Sequence, residues 1–319
     1  MTTAIEAFLR TNGWPIVQRA AFASDASTRR YERVRDRTRS AVLMIAPPAE
    51  HLAFERFLGI AAWLRRQNLS APEIYATDVA KGLMLMEDFG DTLMARMAAK
   101  HPMQEAMLYT AVGQVVIDLE TRPPPGWVPV LDADGLCDLM ALAADEACAP
   151  LSWSPIRDAV RPVLRDHLNA PGPLSLRDLH AENVVWLPDR VGLCRVGLLD
   201  FQDAVVAPPG YDLASLVDDP RRVVPENLRA QLIADHAAAT GADLVQFTAQ
   251  VNLLSLARNV RILGIFRRLA RAGGRTRYLQ FIPRAVALIR RALRHDAAAP
   301  LRAPIAQILR HYEPARLRQ

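Results

Sequence analysis

The chain has 319 residues, 51% of them apolar, and a formal charge of +5. Such a length and apolar content suit one large or two medium folded domains and exclude a disordered chain. Three scattered cysteines, Cys137, Cys148 and Cys194, do not make a disulfide frame or a zinc site and read as reduced thiols.

Thr2 or Thr3 caps a short helix that ends at Gly13. The opening stretch MTTAIEAFLRTNGW has no basic region followed by an apolar run, so no secretion signal is expected. No apolar window approaches membrane-spanning length, and the expected location is the cytoplasm. Next come strand, polar turn, strand, turn and strand, punctuated at Ser24 to Thr28 and at Asp36 to Ser40. Apolar residues at 52, 54, 57, 58, 61 and 64 have helical spacing. EIYATDVAKGLMLMEDFG reads as a hairpin turning at Lys81–Gly82, with Cys194 further on as plain strand core. Beyond Gly90 helical patterns dominate: around Asp91 to Met97, Met103 to Leu119, Ala133 to Ala147 and Pro155 to Leu168. After a short hairpin between Leu176 and Asp203, the chain reads helical from Tyr211 to its end. The expected fold is α+β, with a small β-rich lobe over 1–88 and a larger, mostly helical lobe over 89–319.

Positive charge is almost all arginine, since Lys81 and Lys100 are the only lysines. Leu244 to His295 contains eleven arginines and no acid. Solvated helix faces are the plain reading. A nucleic-acid surface is not expected, because no recognised motif accompanies the charge. An anionic substrate is the third reading.

The chemistry concentrates in LRDLHAENVVWLPDRVGLCRVGLLDFQD, Leu176 to Asp203. Short apolar runs there are broken by Asp178, His180, Asn183, Asp200 and Asp203. Carboxylates beside buried strands need a partner, and a metal ion is one. Asp178 and Asn183 on one loop, with Asp200 after a hairpin, place three oxygen donors about one cleft. Hard oxygen donors suit Mg2+, which commonly also holds substrate phosphates. Phosphoryl transfer needs these parts: a base for the acceptor hydroxyl, metal ligands and a nucleotide clamp.

LRDLHAENVVWL and GLLDFQDA together resemble the catalytic loop and metal motif of protein-kinase-like phosphotransferases, in their aminoglycoside phosphotransferase branch. SDASTRRYERV resembles the nucleotide-covering turn and LMLMEDFG the inter-lobe hinge, so the resemblance spans nearly the whole chain. DFQDAVVAPPGYDLASLVDD and NVRILGIFRRLARAGGRTRYL resemble one subgroup, the bacterial anomeric kinases of N-acetylmuramate and N-acetylglucosamine. The resemblance implies a protein-kinase-like fold and an ATP-dependent, magnesium-dependent sugar kinase of cell-wall sugar recycling. It makes Asp178 the catalytic base and Asn183 and Asp200 the metal ligands. Ser27, Arg29 and Arg30 would hold nucleotide phosphates, while Glu87 and Phe89 would offer hinge backbone to adenine. Asp203, Asp212, Arg258 and Asn259 are candidates around the acceptor, where an arginine would suit a lactyl carboxylate. His180 reads as structural.

Two departures stand out. Leu176 occupies the usual loop-histidine position, and Met44 sits near the place of the phosphate-binding strand lysine, so Arg29 or Arg30 is expected to supply that charge. Glu55, the usual partner of that lysine, reads as solvated. The competing functions are a kinase of another small alcohol, such as an aminoglycoside, a choline-like compound or homoserine, and a nucleotide-binding pseudokinase acting as an interaction module. The partners expected are a nucleotide and a sugar or amino-alcohol acceptor; the oligomeric state is left open.

Overall fold

The computed structural model describes residues 2–15, 17–22, 29–168 and 172–313. Backbone packing divides the chain into two compact units, Met1–Gln104 with Ala181–Asp203, and Glu105–His180 with Ala204–Gln319.

The first unit is built on an antiparallel sheet of β1 (Gln18–Ala21), β2 (Arg30–Arg35), β3 (Ser40–Ile45), β4 (Ile74–Asp78) and β5 (Leu83–Glu87), ordered β1-β2-β3-β5-β4. Alternation along the strands sends Val34, Leu43, Ile45, Leu83 and Leu85 to one face. There they pack with Ile5, Phe8 and Leu9 of helix α1 (Thr2–Thr11) and with Trp14. Each such fully buried side chain contributes roughly 2 kcal/mol. The β4–β5 hairpin turns through Gly82 at φ +65°, where a side-chain carbon would stand 2.2 Å from the Ala46 carbonyl oxygen; only glycine fits. Helices α2 (His51–Arg66) and α3 (Met94–Lys100) complete the amino-terminal part.

A second strand pair, Val184–Trp186 with Val196–Leu198, joins this unit through two backbone bonds. Leu198 N–H donates to the Ser70 carbonyl at 2.7 Å, and Trp186 N–H donates to that of Thr92 at 2.8 Å. The stretch read as one short hairpin therefore holds an inner pair. An outer pair, Leu174–Ser175 with Val205–Val206, belongs to the other unit.

The second unit is helical: α4 (Glu105–Glu120), α5 (Ala133–Asp145), α6 (Ser154–Leu168), α7 (Tyr211–Val217), α8 (Glu226–Thr240), α9 (Leu244–Gly273), α10 (Ile282–Ala292) and α11 (Arg302–Leu309). The 30-residue α9 packs against α5, α7, α8 and α10. Gly264 lets α5 approach, since a side-chain carbon there would lie 2.6 Å from Leu142 backbone. Some arginines of the acid-free segment pair with buried acids. Arg291, together with Arg229 of α8, bonds to Asp218, which is fully buried, and Arg268 and Arg271, themselves exposed, both reach buried Glu146. Burial alone would push the Asp218 carboxyl up, but the two guanidinium charges outweigh it and hold it below the usual carboxylate range. Among the described residues, Cys137, Cys148 and Cys194 are not joined in disulfides. Among the described residues no helix is long and apolar enough to cross a membrane.

Candidate active site

In the second unit, the loop carrying Asp178 is held from behind by Asp212 at the start of α7. The Asp212 carboxylate accepts the Ser175 hydroxyl at 2.8 Å, the Leu176 amide at 2.6 Å and the Arg177 amide at 2.9 Å. Arg177 takes φ +73°, a left-handed conformation unfavourable for a residue with a side chain. Its N–H is fixed by Asp212, and its carbonyl accepts from Ser215 Oγ and Arg258 Nη2, each at 3.4 Å. This bent peptide sets the direction in which half-buried Asp178 leaves the loop. Leu176, 2% exposed, fills the core side of the turn; the backbone clamp removes any need for a histidine there. Burial pushes the Asp212 carboxyl up to about 6, although its three donors pull the other way.

His180 is buried, its Nδ1 standing 3.8 Å from Asp219, which Arg221 in turn binds at 2.8 Å. Burial holds the His180 imidazole below its ordinary pKa despite the nearby acid, which suits a structural residue. Asn259 is fully buried; its amide donates to the carbonyls of Asp218 and Ser255 at 3.1 and 3.0 Å. That side chain stands within the helix packing. Arg258 packs its guanidinium 5.2 Å from the Tyr211 ring centroid.

In the first unit, the inner strand pair brings Asn183 and Asp200 together. Asn183 ends a single 3₁₀ turn, Ala181–Asn183, and its carbonyl accepts the Leu199 amide at 3.0 Å. Asn183 Nδ2 lies 3.4 Å from one Asp200 oxygen, and Gln202 Nε2 donates to the other at 2.9 Å. Asp200 is exposed at φ +58°, while Phe201 beside it is fully buried and stacks on Phe57 of α2, with ring centroids 4.7 Å apart. The buried phenylalanine anchors the turn and the left-handed residue lifts its carboxylate outward. One carboxylate and one amide oxygen are an incomplete hard-donor set, the kind magnesium accepts when phosphates supply the remaining oxygens. Among the described residues no group of three or more His, Cys, Asp or Glu forms a closed cage. Asp203 is half-buried in the turn after Phe201.

Ser27 lies outside the described residues. Arg29 and Arg30 point apart. Arg29 is 7% exposed, 3.5 Å from Glu50 and hydrogen-bonded to Tyr31. Arg30 is 60% exposed and 3.7 Å from Glu32. Burial raises the Tyr31 pKa; the Arg29 charge opposes that rise and the Asp200 charge adds to it. Met44 is fully buried, paired in register with Tyr31 and Met84. Glu55 is exposed and sits 3.4 Å from His51. The sequence did not single out Glu50, because it follows two prolines outside any helical repeat.

The segment read as a hinge is tied by ion pairs. Arg33 binds Asp88 and Asp91, at 2.7 and 2.8 Å. Arg190 binds the Glu87 carboxylate and lies 5.2 Å from the Phe89 ring. The Glu87 amide donates to the Glu73 carbonyl at 2.8 Å, whereas the Phe89 amide makes no backbone bond among the described residues.

Residues 19–250 match the phosphotransferase enzyme family. The chain is 36% identical to the N-acetylmuramate/N-acetylglucosamine kinase of Caulobacter vibrioides, over 87% of this chain and 88% of that one. Its fold is similar to that of an ethanolamine kinase of Plasmodium vivax (TM-score 0.63, 14% identity, 91% of this chain and 84% of that one). An aminoglycoside phosphotransferase of Streptomyces rimosus is also similar (TM-score 0.54, 18% identity, 80% and 98%). With its amino-terminal antiparallel sheet, its helical remainder and a matched segment covering most of its length, the chain belongs to the phosphotransferase enzyme family and has the protein-kinase-like fold.

Proposed function

We propose that the protein is an ATP-dependent, cytoplasmic kinase that phosphorylates the anomeric hydroxyl of N-acetylmuramate or N-acetylglucosamine in cell-wall sugar recycling. The observation that carries a catalytic loop is the Asp212 clamp on Leu176 and Arg177, which fixes a strained peptide immediately before Asp178. Such strain persists only where the surroundings enforce it. The amino-sugar acceptor is supported by the name of the Caulobacter relative.

In this reading the Asp178 carboxylate takes the proton of the acceptor hydroxyl. The freed oxygen bonds to the γ-phosphorus, the bridging P–O bond breaks, and ADP leaves. Asp200 and Asn183 would hold magnesium, which would neutralise phosphate charge. Arg29, fixed by Glu50, supplies the cation that the lysine-free third strand lacks, while exposed Arg30 stays outside the site. The Phe89 amide and the Glu87 backbone offer the hinge edge to adenine.

Incubation with ATP, magnesium and N-acetylmuramate, N-acetylglucosamine, an aminoglycoside or choline tests this, with phosphorus NMR locating the new phosphate. A sugar 1-phosphate is the expected product. Preferential transfer to the aminoglycoside or choline, or no transfer at all, overturns the reading.

A further inference from the structure

Arg258 is 6% exposed, yet its Nε and Nη1 meet no hydrogen-bond acceptor among the described residues. What its guanidinium does touch is neutral: the Arg177 carbonyl at 3.4 Å and the Tyr211 ring. A buried cation without a paired acid is costly. The acids that sense its charge, Asp212 and Asp219, are already committed. Asp212 accepts three donors from the loop, and Asp219 binds Arg221.

Two further guanidiniums gather at the same place. Arg261 lies three residues along α9, on the same side of the helix, and is half-buried. Burial first, and the Arg177 charge second, hold Arg261 below the ordinary arginine pKa; Asp178 and Tyr211 act in the opposite direction. Arg177 Nε is likewise buried without an acceptor. Like charges crowd together here with no ion pair among the described residues, which is the electrostatic signature of a site that takes an anion.

We propose that Arg258, Arg261 and Arg177 form a carboxylate pocket on the acceptor side of Asp178, so that the enzyme prefers a sugar acid over the neutral sugar with the same ring. This rests on reading the chain as an amino-sugar kinase. Asp178 follows Arg177 directly and its charge acts on Arg261; the molecule whose hydroxyl meets Asp178 is the one whose anion meets these arginines. Guanidinium edges match a carboxylate through paired N–H bonds. N-acetylmuramate differs from N-acetylglucosamine by a lactyl ether bearing one carboxylate, so the two sugars isolate that single charge.

The test compares kcat/KM for the two sugars in the wild type, Arg261→Gln and Arg261→Lys, and measures binding of each sugar by calorimetry without nucleotide. Arg261 is chosen because it is half-buried, whereas replacing Arg258 also removes support from the Arg177 carbonyl. The muramate-to-glucosamine ratio should fall about tenfold or more in Arg261→Gln and recover partly in Arg261→Lys. Equal losses for both sugars, or a wild type that binds both equally, overturn the pocket. If the wild type transfers phosphate to neither sugar but binds the acid selectively, and Arg261→Gln loses that selectivity, the proposed activity fails while the pocket stands. Absence of acid binding in the wild type sinks the pocket as well.

Discussion

The Asp212 carboxylate holds the Arg177 amide at 2.9 Å and so keeps a left-handed residue in place directly before the proposed base. An amide side chain cannot accept from all three donors at Ser175, Leu176 and Arg177 as a carboxylate does. Asp212→Asn should therefore lower turnover about 100-fold through misplacement of Asp178, with nucleotide binding retained. Steady-state kinetics alongside nucleotide titration measure both, and unchanged turnover in the folded variant refutes the clamp.

The same carboxyl gives a pH signature with two opposite signs. Its pKa rises from 3.8 to about 6 on folding, so the folded state binds more protons than the unfolded chain between about pH 4 and 6. Stability from this group is present below pH 4 and is lost as pH climbs through 6, by roughly 3 kcal/mol in all. Activity should move the other way, rising through about pH 6 as the ionised clamp forms. Asp212→Asn should lose both effects. Unfolding titrations and kcat/KM profiles of the two proteins decide this.

Asp178→Asn should keep the fold and nucleotide affinity but lower kcat about 1,000-fold, since the amide cannot take the acceptor proton. Near-wild-type kinetics in the folded variant remove Asp178 from the chemistry.

Asp200→Ala should weaken magnesium-dependent ATP binding more than Asn183→Ala does, because a carboxylate offers the metal a full charge and an amide only a dipole. Calorimetric titration of ATP with and without magnesium separates the two variants. An unchanged metal dependence in Asp200→Ala contradicts the assignment.

Arg29→Ala should raise the KM for ATP about tenfold or more, whereas Arg30→Ala should change it less than about twofold. The difference follows from burial: Arg29 is held by Glu50, while Arg30 is 60% exposed. Glu50→Gln should show part of the Arg29 effect. Equal KM values across all three variants end the idea.

Much of the fold was legible because its signals are local. Polar turns punctuating short strand-like runs gave β2, β3 and β5, and Gly82 marked the hairpin turn with no other residue able to fit. Apolar spacing gave α2, which runs His51–Arg66 within the stretch read as helix. The Asn183–Asp200 approach was also legible, since a short strand pair between them leaves few other arrangements. What sequence could not give were contacts set by distant packing. Asp212 is 36 residues from Leu176, and nothing in its own surroundings marks it as the loop's anchor. Glu50 gained its partner from Arg29, immediately before β2. Arg268 and Arg271 of α9 are exposed as the sequence suggests, but their reach to buried Glu146, and the pairing of Arg291 with Asp218, were not legible because those acids lie outside the acid-free segment. Asn259 has the chemistry of a sugar ligand, yet helix packing turns it to backbone carbonyls.

Buried Asp218 has a consequence for how the polypeptide is completed during synthesis. Its second guanidinium, from Arg291, comes from 73 residues downstream. While the ribosome has released only the chain through α8, Asp218 has Arg229 alone, and the remaining lone pairs must stay hydrated. The helices around it cannot close dry until α10 emerges. A chain cut short before Arg291 would leave that carboxylate with one guanidinium partner in place of two, at a cost of about 1.5–3 kcal/mol for the unmade charged hydrogen bond. The carboxy-terminal helices are thus required to seal the unit that carries the proposed base, although Arg291 lies far along the chain from Asp178.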